Sequence, residues 1–371
     1  MAHRPMRITR IDVIPFTIPM QRIEVFATGT IASLEHVLVR IHTDVGLVGQ
    51  AEAPPRPTIY GDSVASTVAA LRDWFTPVLV GADPYDQEKI WAQIDRFEHN
   101  PTAKAAVDIA LHDLLAQSAG VPLHRYLGGW TNEVQLSYVI GQCSPEETAE
   151  QILKIRDTYG IVWFKLKVGL GHDRDLEMIR TVRDRVGSGI SFYVDANHAY
   201  DAVAAARAMR SWEPYNVAWV EEPSPAWDFR GRQMIAGTSF LPMMGDESCK
   251  TLGNVTSELV RGACRMISLK TGGTGYRLSR KILHLCEALG GIAVSGSQSD
   301  SDLGAIAGAH FNAAQRLLAE RPAELCSFVD AAGSLLAEPI TIEGGKFRLG
   351  NGPGIGVTID EDKLNRYRLD R

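Results

Sequence analysis

Six short stretches of this chain end in ionisable or polar residues, and they come in a set order. F-K-L-K-V holds Lys165 and Lys167, V-D-A-N holds Asp195 and Asn197, and W-V-E-E-P holds Glu221 and Glu222. G-D-E-S then holds Asp246 and Glu247, S-L-K-T holds Lys270, and G-S-Q-S-D holds Gln298 and Asp300. Asp195, Glu221, Asp246 and Lys270 follow one another at intervals of about 25 residues, the length of one strand-plus-helix unit. Taken singly, these are weak signals: K-x-K is usually a solvated strand face and D-A-N an ordinary turn. The order and even spacing make them a candidate site.

The chemistry follows from the residue types. Three carboxylates brought together repel one another, and a hard divalent cation relieves that repulsion. Oxygen ligands without His or Cys suit Mg²⁺ or Mn²⁺ rather than zinc. Asp195, Glu221 and Asp246 are therefore the expected ligands, with Asn197 and Glu247 just behind them. Lys165 and Lys167 share one strand face, because residues two apart on a strand point the same way. A lysine acts as a base near neutral pH only if its pKa is depressed, and a neighbouring ammonium, a cation and burial all push that way. Lys167 and Lys270, on opposite sides of the metal, are the expected acid/base groups, with Lys165 as partner. The expected reaction moves a proton on the carbon next to a carboxylate, through an enolate stabilised by the cation.

Such convergence needs a scaffold. Eight strand-like segments occur after Gly128-Gly129: Gln135–Gly141, Trp163–Val168, Ile190–Asp195, Val217–Glu221, Pro242–Asp246, Met266–Lys270, Gly291–Ser295 and Glu324–Val329. Most are followed by a helical stretch, such as Pro145–Tyr159, Asp173–Val186 or Arg277–Ala288. This alternation predicts an α/β fold with a (β/α) barrel, whose strand C-termini share one mouth. An open doubly wound sheet would need a Gly-rich turn after its first strand, and there is none. Residues 1–128 read as an α+β cap: a three-stranded meander, then helices near Ser63–Val80, Pro84–Phe97 and Thr102–Ala119. Met20–Ser33, polar and Gly-containing, reads as a mobile loop. Residues 129–335 form the barrel. Residues 336–371 form a tail with a hairpin around Gly344-Gly345, expected to pack on the cap. T-G-G-T-G-Y at 271–276 reads as a flexible strand-to-helix turn.

Bulk composition is that of a globular enzyme. The 371 residues are 45% hydrophobic and 22% charged, with net charge −6, so nothing marks a nucleic-acid or membrane-surface partner. Arg4, Arg7, Arg10 and Asp12 leave no apolar leader near the start, and no stretch approaches a membrane span. The expectation is a cytoplasmic protein with a small-molecule carboxylate substrate. Five scattered cysteines show no C-x-x-C spacing and read as reduced thiols.

The ordered set K-x-K, D-x-N, E-x-P, D-E-S and K-T resembles the enolase superfamily, specifically its muconate lactonizing enzyme subgroup. Sites of that superfamily pair a lysine or histidine base with Mg²⁺. The resemblance covers essentially the whole chain and implies a modified (β/α)7β barrel with a capping domain built from both ends of the chain. E-H-V-L-V-R-I-H-T-D at 35–44, A-E-A-P-P-R-P at 51–57, N-P-T-A-K-A-A-V-D at 100–108 and S-F-V-D-A-A-G-S-L-L at 327–336 are most similar to actinobacterial-type muconate cycloisomerases. That implies interconversion of cis,cis-muconate and muconolactone. The implied substrate contacts are Arg56, Tyr60, Gln298 and Asp300, with Phe26 and Ile59 as an apolar wall. T-G-G-T-G-Y and S-G-S-Q-S-D-S-D at 295–302 depart from a close orthologue. The resemblance also allows racemases or epimerases of N-acyl amino acids, dipeptides or proline betaines, and dehydratases of the o-succinylbenzoate synthase kind. F-V-D at 328–330 has one acid where dipeptide epimerases of the group have two. The family tends to homo-oligomers, from dimers to octamers.

Overall fold

The computed structural model describes residues 6–26 and 29–370; Arg4 and the centre of the Met20–Ser33 stretch, residues 27 and 28, lie outside it. The chain begins with a three-stranded antiparallel sheet: β1 (Ile8–Phe26), β2 (Gly29–Thr43) and β3 (Val48–Ala53). Phe16, Ile18, Leu38, Val39 and Ala51 are fully buried. The helix Pro101–Ser118 packs on this sheet and is rich in alanine along its buried side. The approach is close enough that a Cβ on Gly49 would lie 2.1 Å from the carbonyl oxygen of Ala110, so only glycine fits there.

The described residues of the Met20–Ser33 stretch do not form the loop its composition suggests. β1 runs on to Phe26 and pairs Glu24 with Ile31 and Val25 with Thr30, after a register shift between Pro19 and Glu24. The alternation Ile23-Glu24-Val25-Phe26 suits a strand, and the barrel anchors the tip: the amide of Gln142 donates to the carbonyl of Val25 at 2.9 Å.

The second sheet is parallel and curled. β5 (Ser137–Ile140), β6 (Trp163–Lys167), β7 (Ser191–Asp195), β8 (Val217–Glu221), β9 (Met243–Gly245), β10 (Met266–Leu269) and β11 (Ile292–Ser295) lie side by side in chain order; a short β4 (Glu133–Gln135) precedes them. The expected eighth strand, Glu324–Val329, does not form. Two residues close the ring instead: the Ser137 amide donates to the Ala323 carbonyl at 2.8 Å and the Glu324 amide to the Ser295 carbonyl at 2.9 Å. Both edges are thus joined, and the chain turns away in a 3-10 helix at Ser327–Asp330, where the Tyr138 hydroxyl donates to Asp330 at 2.5 Å. A cluster of Tyr193, Trp219, Met244, Met266 and Val294 fills the barrel below the acids, with the Tyr193 and Trp219 rings stacked at 4.2 Å.

Two further expectations change. T-G-G-T-G-Y is not a loop: the helix Thr271–Leu289 starts at once and breaks only at Gly275, φ 64°. The carboxylate of Asp108 accepts the amides of Tyr276 and Arg277 at 2.5 and 2.8 Å and so caps the second segment. The tail hairpin, β12 (Ile342–Glu343) and β13 (Lys346–Arg348), pairs with β4 rather than with the cap, seating Phe347 opposite Val134. The edge of β4 was open and both residues are apolar, which explains the choice. The end of the chain does reach the cap, where the Leu369 amide donates to Pro15 at 2.8 Å. Among the described residues no helix is long and apolar enough to cross a membrane, and all five cysteines are free thiols.

Candidate active site

Strand register sets the level of the charged groups. Lys167 pairs with Asp195, and Asp195 with Glu221, so three neighbouring strands end at one height. The Lys167 ammonium donates to Asp195 Oδ2 at 2.7 Å and to Asn197 Oδ1 at 3.0 Å. One turn of the strand lower, the Lys165 ammonium lies 2.8 Å from Glu221, 3.2 Å from Glu324 and 3.2 Å from Asp195. Across the barrel, Lys270 donates to Asp246 Oδ2 at 2.5 Å. Asn197 ties two of the acidic strand ends together: its amide NH₂ donates to Glu247 at 3.0 Å, while its backbone N–H donates to Asp195 Oδ1 at 2.8 Å. Glu222 takes a different path. Its backbone sits at φ 40°, and its carboxylate accepts the Asp246 amide at 2.5 Å and the buried guanidinium of Arg232 at 2.6 Å. It braces the Asp246 loop from behind.

At the lysines, burial and the protein's own carboxylates act in opposite directions. Burial acts to depress the Lys165 and Lys270 ammonium groups, but carboxylates outweigh it: Glu221, Glu324 and Asp195 hold Lys165 well above the usual lysine range, and Asp246 raises Lys270. The carboxylates respond unequally. Burial opposes ionisation of Asp195, yet Lys167 and Lys165 keep it below the usual carboxylate range. Burial and the charges of Asp195, Glu324 and Asp246 push Glu221 well up despite Lys165. Burial and Asp246 push Glu247 to about 8.

Among the described residues no three acidic, His or Cys groups are arranged as a ready-made ligand set, because the lysine ammonium groups stand among the carboxylates. The donors nonetheless suit a hard dication. All are carboxylate oxygens, and Glu221 Oε2 and Glu247 Oε2 are buried without any hydrogen-bond partner, an excess of acceptors that a cation would satisfy. Asp195, Glu221 and Asp246, with Glu247 beside them, are the residues able to hold it.

A cavity of about 310 Å³ opens above these groups, between barrel and cap. Lys165, Lys167, Lys270, Asp246, Asn197 and Glu247 line its floor; Glu24, Phe26, Arg56 and Ile59 line its roof. Arg56 hydrogen-bonds Ser299, and Gln298 lines the wall with its amide on the Tyr60 hydroxyl. Two expected contacts fall elsewhere. Tyr60 lies behind the wall against Gly273, where a Cβ would meet its hydroxyl. Asp300 is turned into its own loop, accepting the Ser297 hydroxyl at 3.0 Å and the Gln298 amide at 3.1 Å. Ser297 and Ser299 face the cavity in their stead.

Two acids of the cavity were not among the expected site residues. Glu324 starts, rather than ends, its segment, so the rule of acids at strand ends passed over it; it accepts the Tyr193 hydroxyl at 2.6 Å and faces Lys165. Glu24 was hidden in the stretch read as a loop; its place in I-E-V-F alternation was the available signal.

Residues 10–128 match the model of the mandelate racemase/muconate lactonizing enzyme N-terminal domain, and residues 147–363 that of the enolase C-terminal domain-like family. This chain belongs to the mandelate racemase/muconate lactonizing enzyme family of the enolase superfamily. Within that family, the muconate lactonizing enzyme of Mycobacterium smegmatis, solved with muconolactone, is 39% identical with a TM-score of 0.96 over 98% of this chain and all of that one. A hydrophobic dipeptide epimerase of Enterococcus faecalis is 30% identical over 95% of this chain and its own full length. The structure of the dipeptide epimerase from E. faecalis V583 with Mg and L-Leu-L-Tyr superposes with a TM-score of 0.91 at 29% identity, over 95% of this chain and 99% of that one. An N-succinyl-L-Arg/Lys racemase of Bacillus cereus is 29% identical over 98% of both chains.

Proposed function

We propose that this family member transfers a proton at the carbon alpha to a substrate carboxylate. The observation that carries this reading is the placement of Lys167 and Lys270. Their strands, β6 and β10, stand four positions apart in a ring of eight, counting the Ala323–Glu324 bridge as one. Two amines therefore approach one cavity from opposite walls. A divalent cation, when bound by Asp195, Glu221 and Asp246, supplies positive charge against which a substrate carboxylate docks and its developing negative charge is stabilised.

The chain's own groups do the rest. One lysine, as the free amine, takes the alpha proton, and the electron pair moves into the carboxylate. Lys165, kept protonated by three acids, adds fixed positive charge below the reacting carbon. The cap strand closes the cavity over Lys167 with Phe26 and keeps water off the nascent carbanion.

Two outcomes fit this half-reaction. Muconate cycloisomerisation needs one lysine to deliver or remove the proton while a second carboxylate closes or opens the lactone; the 39% identity to a muconate lactonizing enzyme favours it. Racemisation or epimerisation of an amino-acid derivative uses both lysines, one on each face of the carbon; their opposed placement favours it. Incubation with Mg²⁺ in D₂O tests the common step. Lactone formation from cis,cis-muconate, or alpha-deuterium in N-acyl amino acids or dipeptides, is the expected result; no reaction across the whole panel overturns the reading.

A further inference from the structure

Among the described residues, no group hydrogen-bonds the acid in the roof of the cavity. Glu24 is 5% exposed and lines the cavity. Among the described residues its carboxyl has no hydrogen-bond or ion-pair partner, although a buried carboxyl ordinarily finds one. Glu24 and Phe26 are two apart on β1 and point to the same side, and the Phe26 ring holds the Lys167 ammonium at 4.6 Å. The face that covers the reacting lysine therefore also presents Glu24. Val25, on the opposite face, backs onto Gly141, whose Cβ would lie 3.1 Å from the Val25 amide nitrogen. The strand is held at both its edge and its tip.

Arg56 is the other charged group of the roof. One of its nitrogens is taken by Ser299, and its Nε is buried without a partner. Glu24 and Arg56 do not form an ion pair within 4.0 Å, yet Glu24 is the leading charge that supports the Arg56 cation. The roof thus offers the Glu24 carboxyl to a donor, whereas Arg56 Nε is enclosed by protein.

We propose that Glu24 forms a distal subsite for a carboxylate substrate whose far end carries a cationic nitrogen, with the Glu24 carboxyl meeting the cation. The proposal rests on the proton-transfer reading above and selects among its substrates. A peptide-like molecule has its carboxylate, alpha carbon and ammonium in that order, matching floor, lysines and Glu24. A simple dicarboxylate would set its second anion against Glu24. Asp330 strengthens the preference from behind: burial and Asp330 push the Glu24 carboxyl up, while Arg56, Lys167 and Arg22 act against them. An arriving cation relieves both causes.

Three ligands isolate the far end: L-alanyl-L-leucine, N-acetyl-L-leucine and N-succinyl-L-leucine end in an ammonium, a methyl and a carboxylate. Titration calorimetry of the Mg²⁺-loaded protein reads binding whether or not turnover occurs. The wild type is expected to bind the ammonium ligand at least about tenfold more tightly than the succinyl ligand. Glu24→Gln should bring that ratio close to one, and Glu24→Lys should invert it. A wild type that prefers the succinyl ligand or cis,cis-muconate, or binds none of them, overturns the proposal, as does an unchanged ratio in both variants. The isosteric Gln variant guards against misfolding, and the wild-type ranking stands without any variant. Alpha-proton exchange in D₂O is recorded in parallel. Exchange with the wrong ranking sinks the subsite alone; the right ranking without exchange in any compound sinks the proton-transfer reading alone.

Discussion

The ammonium of Lys167 lies 4.6 Å from the centroid of the Phe26 ring, so a strand of the cap covers a lysine of the barrel. A cation over an aromatic face is stabilised by the ring quadrupole, by about 0.5–2 kcal/mol depending on solvent exclusion. Phe26→Ala removes both this attraction and the cover. We expect kcat/KM to fall by about ten- to thirtyfold, with Phe26→Tyr close to wild type. Equal activity of the Ala and wild-type proteins would show that the cap strand does not shape the lysine's surroundings.

Lys167 and Lys270 separate in a stereochemical experiment. If each serves one face of the carbon, Lys167→Ala and Lys270→Ala should each lose racemisation by about 10²–10⁴, the usual contribution of a general acid or base. Each variant should still exchange the alpha proton of one enantiomer in D₂O, and the two should prefer opposite enantiomers. A cycloisomerase using a single lysine would instead lose lactonisation in only one variant. Turnover undiminished in both would remove the lysines from the mechanism.

Chelation gives an independent check on the acids. EDTA should abolish turnover, and Mg²⁺ or Mn²⁺ should restore it. Asp195→Asn, Glu221→Gln and Asp246→Asn should each weaken metal affinity measured by calorimetry. Full activity in a metal-free preparation would contradict the ligand assignment.

Arg232 is completely buried between Glu222, at 2.6 Å, and Glu258, at 2.8 Å. Arg232→Met leaves two buried carboxylates without their cation and should cost about 3–5 kcal/mol in urea unfolding. Because Glu222 also holds the Asp246 amide, activity should fall further than Tm alone implies. Stability within 1 kcal/mol of wild type, on the scale of a surface pair, would show that the charges find another partner.

The tail is fastened by two groups of opposite pH dependence. Asp113 accepts the amides of Gln50 and Ile355 at 2.9 and 2.7 Å, and burial raises it to about 6. Its pKa in the fold exceeds the unfolded value, so its contribution is complete below about pH 4 and is lost as pH rises through 6. His310 accepts the His124 amide on Nδ1 and faces the Ile355 carbonyl with Nε2, both at 3.0 Å, and burial lowers it to about 3. Its contribution is complete above about pH 6.5 and is lost as pH falls toward 3. In urea unfolding, the stability gap between wild type and Asp113→Asn should narrow by about 2 kcal/mol from pH 4 to 8. The gap to His310→Gln should narrow by about 2 kcal/mol from pH 8 to 5. Gaps independent of pH would contradict both assignments.

The residues that carry chemistry were legible from order and spacing alone. Lys165, Lys167, Asp195, Glu221, Asp246 and Lys270 sit at the ends of apolar runs, and a barrel brings such ends to one mouth whatever the details of its loops. Strand periodicity and helix caps are local properties, so the barrel, the meander and most helices could be read from short windows of sequence. What depends on partners distant in the chain could not. Residues 20–26 belong to a strand because the start of β2 pairs with their end and Gln142 anchors Val25; the eighth strand reduces to Ala323–Glu324 because β5 and β11 already stand close enough to be bridged by two residues. Tyr60 and Asp300 are the right types for substrate contact, but packing turns them away, and Glu24 and Glu324 take places at the cavity that no local pattern announces. Even the lysine charge state is a tertiary matter, since three carboxylates from three other segments decide it for Lys165. Sequence by itself determined which groups meet; the fold decided which of them face the cavity and which acid is left without a partner there.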